Sequence, residues 1–298
     1  TIPIVPIRNA KHKSHFYQQE NNRCSSIADK RKRNSCWWNR VRYNGNIYKY
    51  ESNSKVVGLE TLERSQGVTT DGEYWYFSGK TSLVKIGFDN QTVYACNYKA
   101  LTDEIVEKYG SKHIGGISYY NGFIYASLED SKVWSHPVIA LYDAQTLEYT
   151  GRAHELPNSI LRRGIPWVSV DAANGLLYSS YSKTAEVIYC FDLITFDYVG
   201  ELKLTSPIDA IQGGEVYNGK LYVGSNDSTR AVYSIDVKTG RVEKLFDRIM
   251  YRWKWIDNFG GEGEDVTVYP MNDGTVIHAL DVGALFIDSN LRHYKWDV

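Results

Sequence analysis

One pattern recurs five times and limits the fold more than anything else in this chain. A short apolar run meets an Asn-Gly or Asp-Gly pair, a second apolar run ends in small residues, and a third closes on Asp-x-x-Thr. The clearest copy is Ile208–Asp236, with Asn218-Gly219 as its turn and Asp236 and Thr239 as its close. Others run Gly67–Ser78 with Asp89 and Thr92, Gly115–Ser127 with Asp143 and Thr146, and Trp167–Ser180 with Asp192 and Thr195. A looser fifth copy begins near Glu264, turns at Asn272-Asp273-Gly274 and continues Thr275–Leu280. The starts lie about 50 residues apart. Asn-Gly between apolar runs signals a two-residue hairpin turn, because both central residues take positive φ. The Asp and Thr of Asp-x-x-Thr bond nearby backbone groups and predict a second turn. Each copy therefore reads as a small antiparallel sheet of four strands, A to D from inside outward.

A lone sheet of this kind cannot bury both faces, so several must pack face to face around an axis. Over about residues 40–298 the repeats resemble the β-propeller superfamily. The chain has no Tyr-Trp-Thr-Asp series and no sialidase Asp-box, and its Gly-Gly pairs precede the innermost strand instead of following a strand as in kelch repeats. The resemblance thus implies a fold and no activity. The expectation is all-β: a basic arm over 1–36 and a single-domain β-propeller over 37–298, five blades with six as the alternative. The last copy ends at Trp296-Asp297-Val298 without a strand D, while Lys55–Glu63 offers a run in that place before the first copy. An N-terminal strand completing the last blade closes the ring and leaves no open edge. In the six-bladed alternative Tyr43-Asn44-Gly45 opens a partial blade.

Composition agrees with packed sheets. Tyr (24), Phe (9) and Trp (8) are plentiful and Met (2) is rare among 298 residues, as suits aromatic and β-branched packing. A net charge of −1 conceals an asymmetry: from Arg8 to Arg42, ten Lys or Arg face only Glu20 and Asp29, leaving the rest of the chain acidic. A uniformly basic nucleic-acid surface is thereby excluded, and no segment is long and apolar enough to span a bilayer. Lys30–Arg33 reads as a solvated loop, with a nuclear address, a processing site or a polyanion contact as alternatives. A start at Thr1 is expected for a processed form. Cys24 and Cys36 lie in a polar segment and are expected to form a disulfide. Cys96 and Cys190 fall on strands of different blades and read as buried small hydrophobes, with a bridge between them as the alternative. Two sequons, at Asn90 and Asn226, are expected on exposed loops, and with them a secreted, extracellular, glycosylated protein. A monomer is expected.

In such a ring the D–A and B–C connections surround one mouth of the central channel. The residues entering strand A converge there: Gln66, His113, Trp167, Gln212, Glu262 and Glu264. Gly115, Gly116, Gly213, Gly214, Gly261 and Gly263 beside them permit close backbone packing. The same face is expected to carry Trp134, His136, Arg162, Arg163 and the aromatic–basic run Tyr251–Phe259, which holds Arg252, Trp253 and Trp255. That run suits sugar rings, aromatic ligands or anions, or an aromatic plug over the last blade.

Glu262-Gly263-Glu264-Asp265 places three carboxylates so close that something must compensate. Three arrangements do so: calcium held by Glu264 and Asp265, one carboxyl with a raised pKa acting as acid or base, or pairing with Arg248 or Arg252. His113 is a candidate base near neutral pH or a hydrogen-bonded packing residue. His278 and His293 fall on the last blade in core or surface roles. The expected function is an enzyme of hydrolase or lyase type. It acts on a small organic molecule or glycan through His113, Glu262 and Glu264, with Gln66, Trp134, His136, Arg163, Trp167, Gln212, Arg252, Trp253 and Trp255 binding the ligand. The alternative is a non-catalytic glycan- or protein-binding module.

Overall fold

The computed structural model describes residues 40–43, 46–49, 51–130, 134–248 and 261–297. Five four-stranded antiparallel sheets are present, each built in simple A-B-C-D order. Blade 1 comprises Gly67–Thr70, Tyr74–Ser78, Leu83–Gly87 and Val93–Asn97. Blade 2 comprises His113–Tyr120, Phe123–Glu129, Val138–Asp143 and Tyr149–Glu155. Blade 3 comprises Ser169–Asp171, Leu176–Ser179, Ala185–Asp192 and Tyr198–Ile208. Blade 4 comprises Ile211–Tyr217, Lys220–Ser225, Val232–Asp236 and Val242–Phe246. Blade 5 takes Glu262–Val268, Ile277–Val282 and Asp288–Tyr294 from the C-terminal end, and its strand D is Ser52–Val57 from the N-terminal end.

The ring is therefore five-bladed and closed by an N-terminal strand. That strand stops earlier than the apolar run suggests: Gly58 takes φ +86°, and the following residues wind into the helical turn Glu60–Glu63. The run beginning at Arg40 opens no sixth blade. Arg40–Tyr43 pairs only with Asn46–Lys49, as a separate two-stranded sheet.

Five apolar clusters, one at each junction between neighbouring blades, hold the ring together. Tyr76 and Leu83 of blade 1 pack with Ile114 and Ile124 of blade 2, and at the closing junction Trp75 and Phe77 pack with Leu280 and Leu291 of blade 5. Each sheet thus buries both faces, which is why no single repeat could be stable by itself.

The turn chemistry holds in part. Asn121-Gly122 and Asn218-Gly219 take positive φ at both residues, as two-residue turns require. The A–B connections of blades 1, 3 and 5 are longer, and an Asp side chain caps them. In blade 1, Asp71 Oδ1 accepts from the N–H groups of Glu73 and Tyr74, both at 2.8 Å. All four Asp-x-x-Thr motifs form the same C–D turn. In blade 4, Asp236 Oδ1 accepts from Thr239 N–H at 2.9 Å and from the Thr239 hydroxyl at 2.8 Å.

Several expectations are corrected. Cys96 is exposed, because it sits on an outermost strand, while Cys190 is buried; both are free thiols. Asn90 is half-buried at its C–D turn, with its amide Nδ2 donating to Phe88 O at 3.2 Å. Asn226 is also half-buried, since its Oδ1 accepts from Gly263 N–H of the next blade at 3.2 Å. The arm 1–36, including Cys24, Cys36 and Lys30–Arg33, and the run Tyr251–Phe259 lie outside the described residues. Among the described residues, no helix is long and apolar enough to cross a membrane.

Candidate functional site

The innermost strands must approach one another closely to leave a narrow axis. A Cβ on Gly115 would lie 2.1 Å from Pro166 O, and one on Gly213 would lie 1.9 Å from Asp265 Oδ1. Only glycine permits these approaches. At one end of the axis the strands open into a cavity of about 270 Å³ lined by Gln66, His113, Glu129, Trp134, Pro166, Ser182, Gln212 and Glu264, with Gly115 and Gly116.

Strand pairing assembles its polar wall. His113 and Glu129 are register partners at the open end of the blade 2 hairpin. His113 Nδ1 lies 3.6 Å from Glu129 Oε2, and His113 Nε2 lies 2.5 Å from Gln66 Oε1. Gln66 Nε2 donates to Ser65 O at 2.7 Å, which fixes the amide with its oxygen toward the imidazole. Nε2 therefore faces an amide oxygen within hydrogen-bond reach, while Nδ1 faces the Glu129 carboxyl at a longer distance. Glu129 Oε1 is buried and has no hydrogen-bond partner.

Glu264 forms the opposite character of wall. Burial pushes its carboxyl well above the usual range, and a hydrogen bond and charge repulsion from Glu262 push it further, with Arg248 pulling back. The shift favours its protonated form, the form that can donate a proton. Glu262 itself is exposed and does not line the cavity; its effect comes through Glu264. Arg248 acts on this acidic run through its charge and not through a direct ion pair. Its guanidinium pairs with Asp281 instead, at 2.6 Å.

Asp265 points down the axis rather than into the cavity. Its Oδ2 accepts from Val68 N–H (3.1 Å) and Ile117 N–H (3.3 Å), and its Oδ1 from Val266 N–H (2.8 Å). Burial raises its pKa, and these three donors oppose that. A cation bound there would have to displace them. Among the described residues, no group of three or more His, Cys, Asp or Glu is arranged to hold a metal ion.

Below Asp265 lies Glu215, which sequence reasoning did not single out. Thr69, Ser118, Ser169, Glu215 and Thr267 are equivalent: each pairs across its hairpin with Tyr76, Tyr125, Tyr178, Tyr222 or His278 respectively. Four blades supply a hydroxyl here and blade 4 supplies a carboxyl. Glu215 accepts from Thr69 Oγ1 at 2.9 Å, Ser118 Oγ at 3.0 Å and Thr267 Oγ1 at 3.4 Å, linking four blades. Burial pushes its pKa up to about 7 against those three donors. A carboxyl with a raised pKa stabilises the fold fully below its unfolded value, and that contribution is lost as pH rises through the folded value. The channel admits some water to Glu215, so the loss between about pH 4.5 and 8 is about 2–3 kcal/mol. Urea unfolding of wild type and Glu215→Gln at pH 5 and pH 8 checks this. The stability difference between the two proteins is expected to shift by that amount, and a constant difference would rule it out.

The remaining expected site residues are placed elsewhere. Trp167 is fully buried between blades 3 and 4, and its indole N–H donates to Ser180 Oγ at 3.0 Å. Its place at the cavity is taken by Pro166. His136 Nδ1 lies 2.7 Å from Glu155 Oε1 on the outer part of blade 2, away from the cavity lining. Arg163 is exposed and contributes only its carbonyl, which accepts from Ser182 Oγ at 3.1 Å. Gln66, His113, Trp134, Gln212 and Glu264 are brought together; Glu129, Pro166 and Ser182 join them without having been foreseen. Arg252, Trp253 and Trp255 lie outside the described residues.

No protein-family model matches the chain, and no curated protein matches it. Among solved structures it is similar to a chain in a crystal structure of the mitotic checkpoint complex, at 13% identity and a TM-score of 0.39, over 93% of this chain and 73% of that one. It is also similar to a chain of Kuenenia stuttgartiensis hydrazine synthase, at 14% identity and a TM-score of 0.41, over 76% of this chain and 64% of that one. Neither likeness carries an assignment of activity. Its own sheet order and ring closure make the chain a five-bladed β-propeller.

Proposed function

We propose that this propeller is an enzyme acting on a small organic molecule at the channel mouth, by proton transfer between the ligand and carboxyl groups. The observation that carries the reading is the convergence of His113, Glu129 and Glu264 on one cavity of about 270 Å³. Pockets that gather ionisable groups with displaced pKa values are suited to acid–base chemistry. Glu264, whose carboxyl burial shifts toward its protonated form, serves as the acid. Glu129 offers a buried, unpartnered oxygen as the acceptor, with His113 Nδ1 3.6 Å from its other oxygen. Gln66 and Gln212 orient the ligand. The reading takes hydrolase or lyase chemistry as its class, and it requires no metal step. An extracellular setting is proposed with it, on the sequons at Asn90 and Asn226.

A screen of small metabolites for turnover, followed by Glu264→Gln, tests the reading. The variant keeps the shape of the carboxyl and cannot supply its proton. The expected loss in kcat/KM is about 10²-fold or more, with thermal stability kept. Full turnover in Glu264→Gln removes the acid assignment.

A further inference from the structure

The cavity at the axis does not end at His113. A second cavity of about 730 Å³ adjoins it and shares both Gln66 and His113. Its walls include Leu59, Leu62, Tyr98 and Phe286, exposed at 83%, 53%, 59% and 41%. Scattered apolar residues on a surface are ordinary, but a contiguous strip beside a polar pocket marks a binding groove.

One wall is held under strain. Leu285 and Phe286 take φ of 60° and 55°, a conformation that bulky side chains rarely adopt. Hydrogen bonds over-determine the loop: Gly283 N–H donates to Asp288 O at 2.7 Å, Phe286 N–H to Gly283 O at 3.1 Å, and Gly58 N–H to Ile287 O at 3.2 Å. Strain of this kind persists where the surrounding structure fixes it, often at ligand clamps.

The polar end has a matching deficit. Glu129 lines the first cavity, and its Oε1 is buried and receives no hydrogen bond. A buried acceptor left unpaired is costly, and a ligand donor would relieve it. The Glu129 carboxyl at the cavity disfavours an anionic head and accepts an N–H head.

We propose that the two cavities form one site for a small amphipathic amine. Its N–H head sits on Glu129 Oε1 beside His113, and its aliphatic or aromatic arm lies along Leu59, Leu62, Tyr98 and Phe286. This rests on the reading of the axial cavity as the ligand site and names the class of molecule that site takes.

Calorimetric titration of the full chain with butylamine, octylamine and octanoate tests it. Affinity is expected to rise about fourfold per buried methylene, so octylamine binds more than tenfold tighter than butylamine, and octanoate more weakly than either amine. Leu62→Asp, at an exposed position, is expected to bring octylamine back toward butylamine. Glu129→Gln is expected to weaken both amines about tenfold or more. Equal affinities for the two amines, or octylamine binding unaffected by Leu62→Asp, overturn the amphipathic class. A loss in Glu129→Gln would still uphold the axial cavity as the ligand site in that case. Tighter binding of octanoate than octylamine overturns the amine head. Should neither amine bind, the inference fails; should both bind and ignore Glu129→Gln, the axial-site reading fails with it.

Discussion

Lowering the pH from 7 to 4 is expected to remove about 3 kcal/mol of stability for each of two buried histidines, His278 and His293. Burial pushes the pKa of His278 down to about 3 and that of His293 down to about 4. A depressed pKa contributes stability that is complete above the unfolded value, near 6.5, and is lost as pH falls through the folded one. The geometry explains why the neutral forms are required. His278 Nε2 lies 2.8 Å from Tyr269 O, which can only accept, so this nitrogen carries the proton. His278 Nδ1 must then accept from His293 Nδ1–H at 2.7 Å, and His293 Nε2 accepts from the Ser54 hydroxyl at 3.2 Å. Every link runs one way, from the N-terminal closing strand into blade 5. Charging His278 sets N–H against N–H and breaks the middle link; charging His293 puts a cation in a buried site and forces the Ser54 hydroxyl to accept instead of donate. Trp75 of blade 1 packs edge-on against His278 at 4.9 Å, so the fault lies at the junction that closes the ring. Denaturant titrations between pH 4 and 7 on wild type and His278→Leu/His293→Leu measure the effect. The slope of stability against pH is expected to fall by up to two protons, about 2.7 kcal/mol per pH unit. The same slope in the double variant would remove this account.

Asp281→Ala is expected to cost about 3–5 kcal/mol, because it strands buried guanidinium charge. Asp281 is fully buried and is held by Arg248 Nη1 at 2.6 Å and Arg292 Nε at 2.5 Å. Arg248 also donates to Leu280 O at 3.2 Å and Ser225 O at 3.0 Å, so one side chain joins blade 4 to blade 5. Removing the partner of a buried charge is far worse than removing the whole set. Arg248→Met/Asp281→Leu/Arg292→Leu is therefore expected to recover most of the loss in urea unfolding. A triple variant as unstable as Asp281→Ala would show that the cost lies in packing rather than in charge.

The fold was legible because its signals are local. Asp-x-x-Thr builds its turn from its own side chains, and the missing strand D at Trp296-Asp297 leaves an edge that only another strand can cover. The convergence of Gln66, His113, Gln212 and Glu264 followed from strand order alone, since every blade sends the start of its inner strand to the same end of the axis. Trp167 failed the same reasoning: its position is near the mouth, but its ring is large and apolar and turns into the core between blades 3 and 4.

Glu129 marks the boundary most clearly. Counting outward from the Asn121-Gly122 turn pairs Glu129 with Ile114, on the wrong register for the site. An irregularity between Ile114 and Ile117 shifts the pairing by one residue and sets Glu129 opposite His113. A one-residue slip moves a side chain to the other face of a strand, and bulges of this kind carry no reliable sequence mark. Glu215 is similar: its identity was plain, but its meaning depends on hydroxyls from three other blades. The sequence by itself determined the repeat and the end of the ring where polar residues gather, because these depend on hydrophobic period and turn chemistry within one copy; five blades rather than six was decided by the pairing of Arg40–Tyr43 with Asn46–Lys49 alone. Tertiary structure alone decided which carboxyls are buried, which are paired and which cavity adjoins another. Those properties arise only where blades distant in the chain meet, and the dielectric and donors each group experiences are set there.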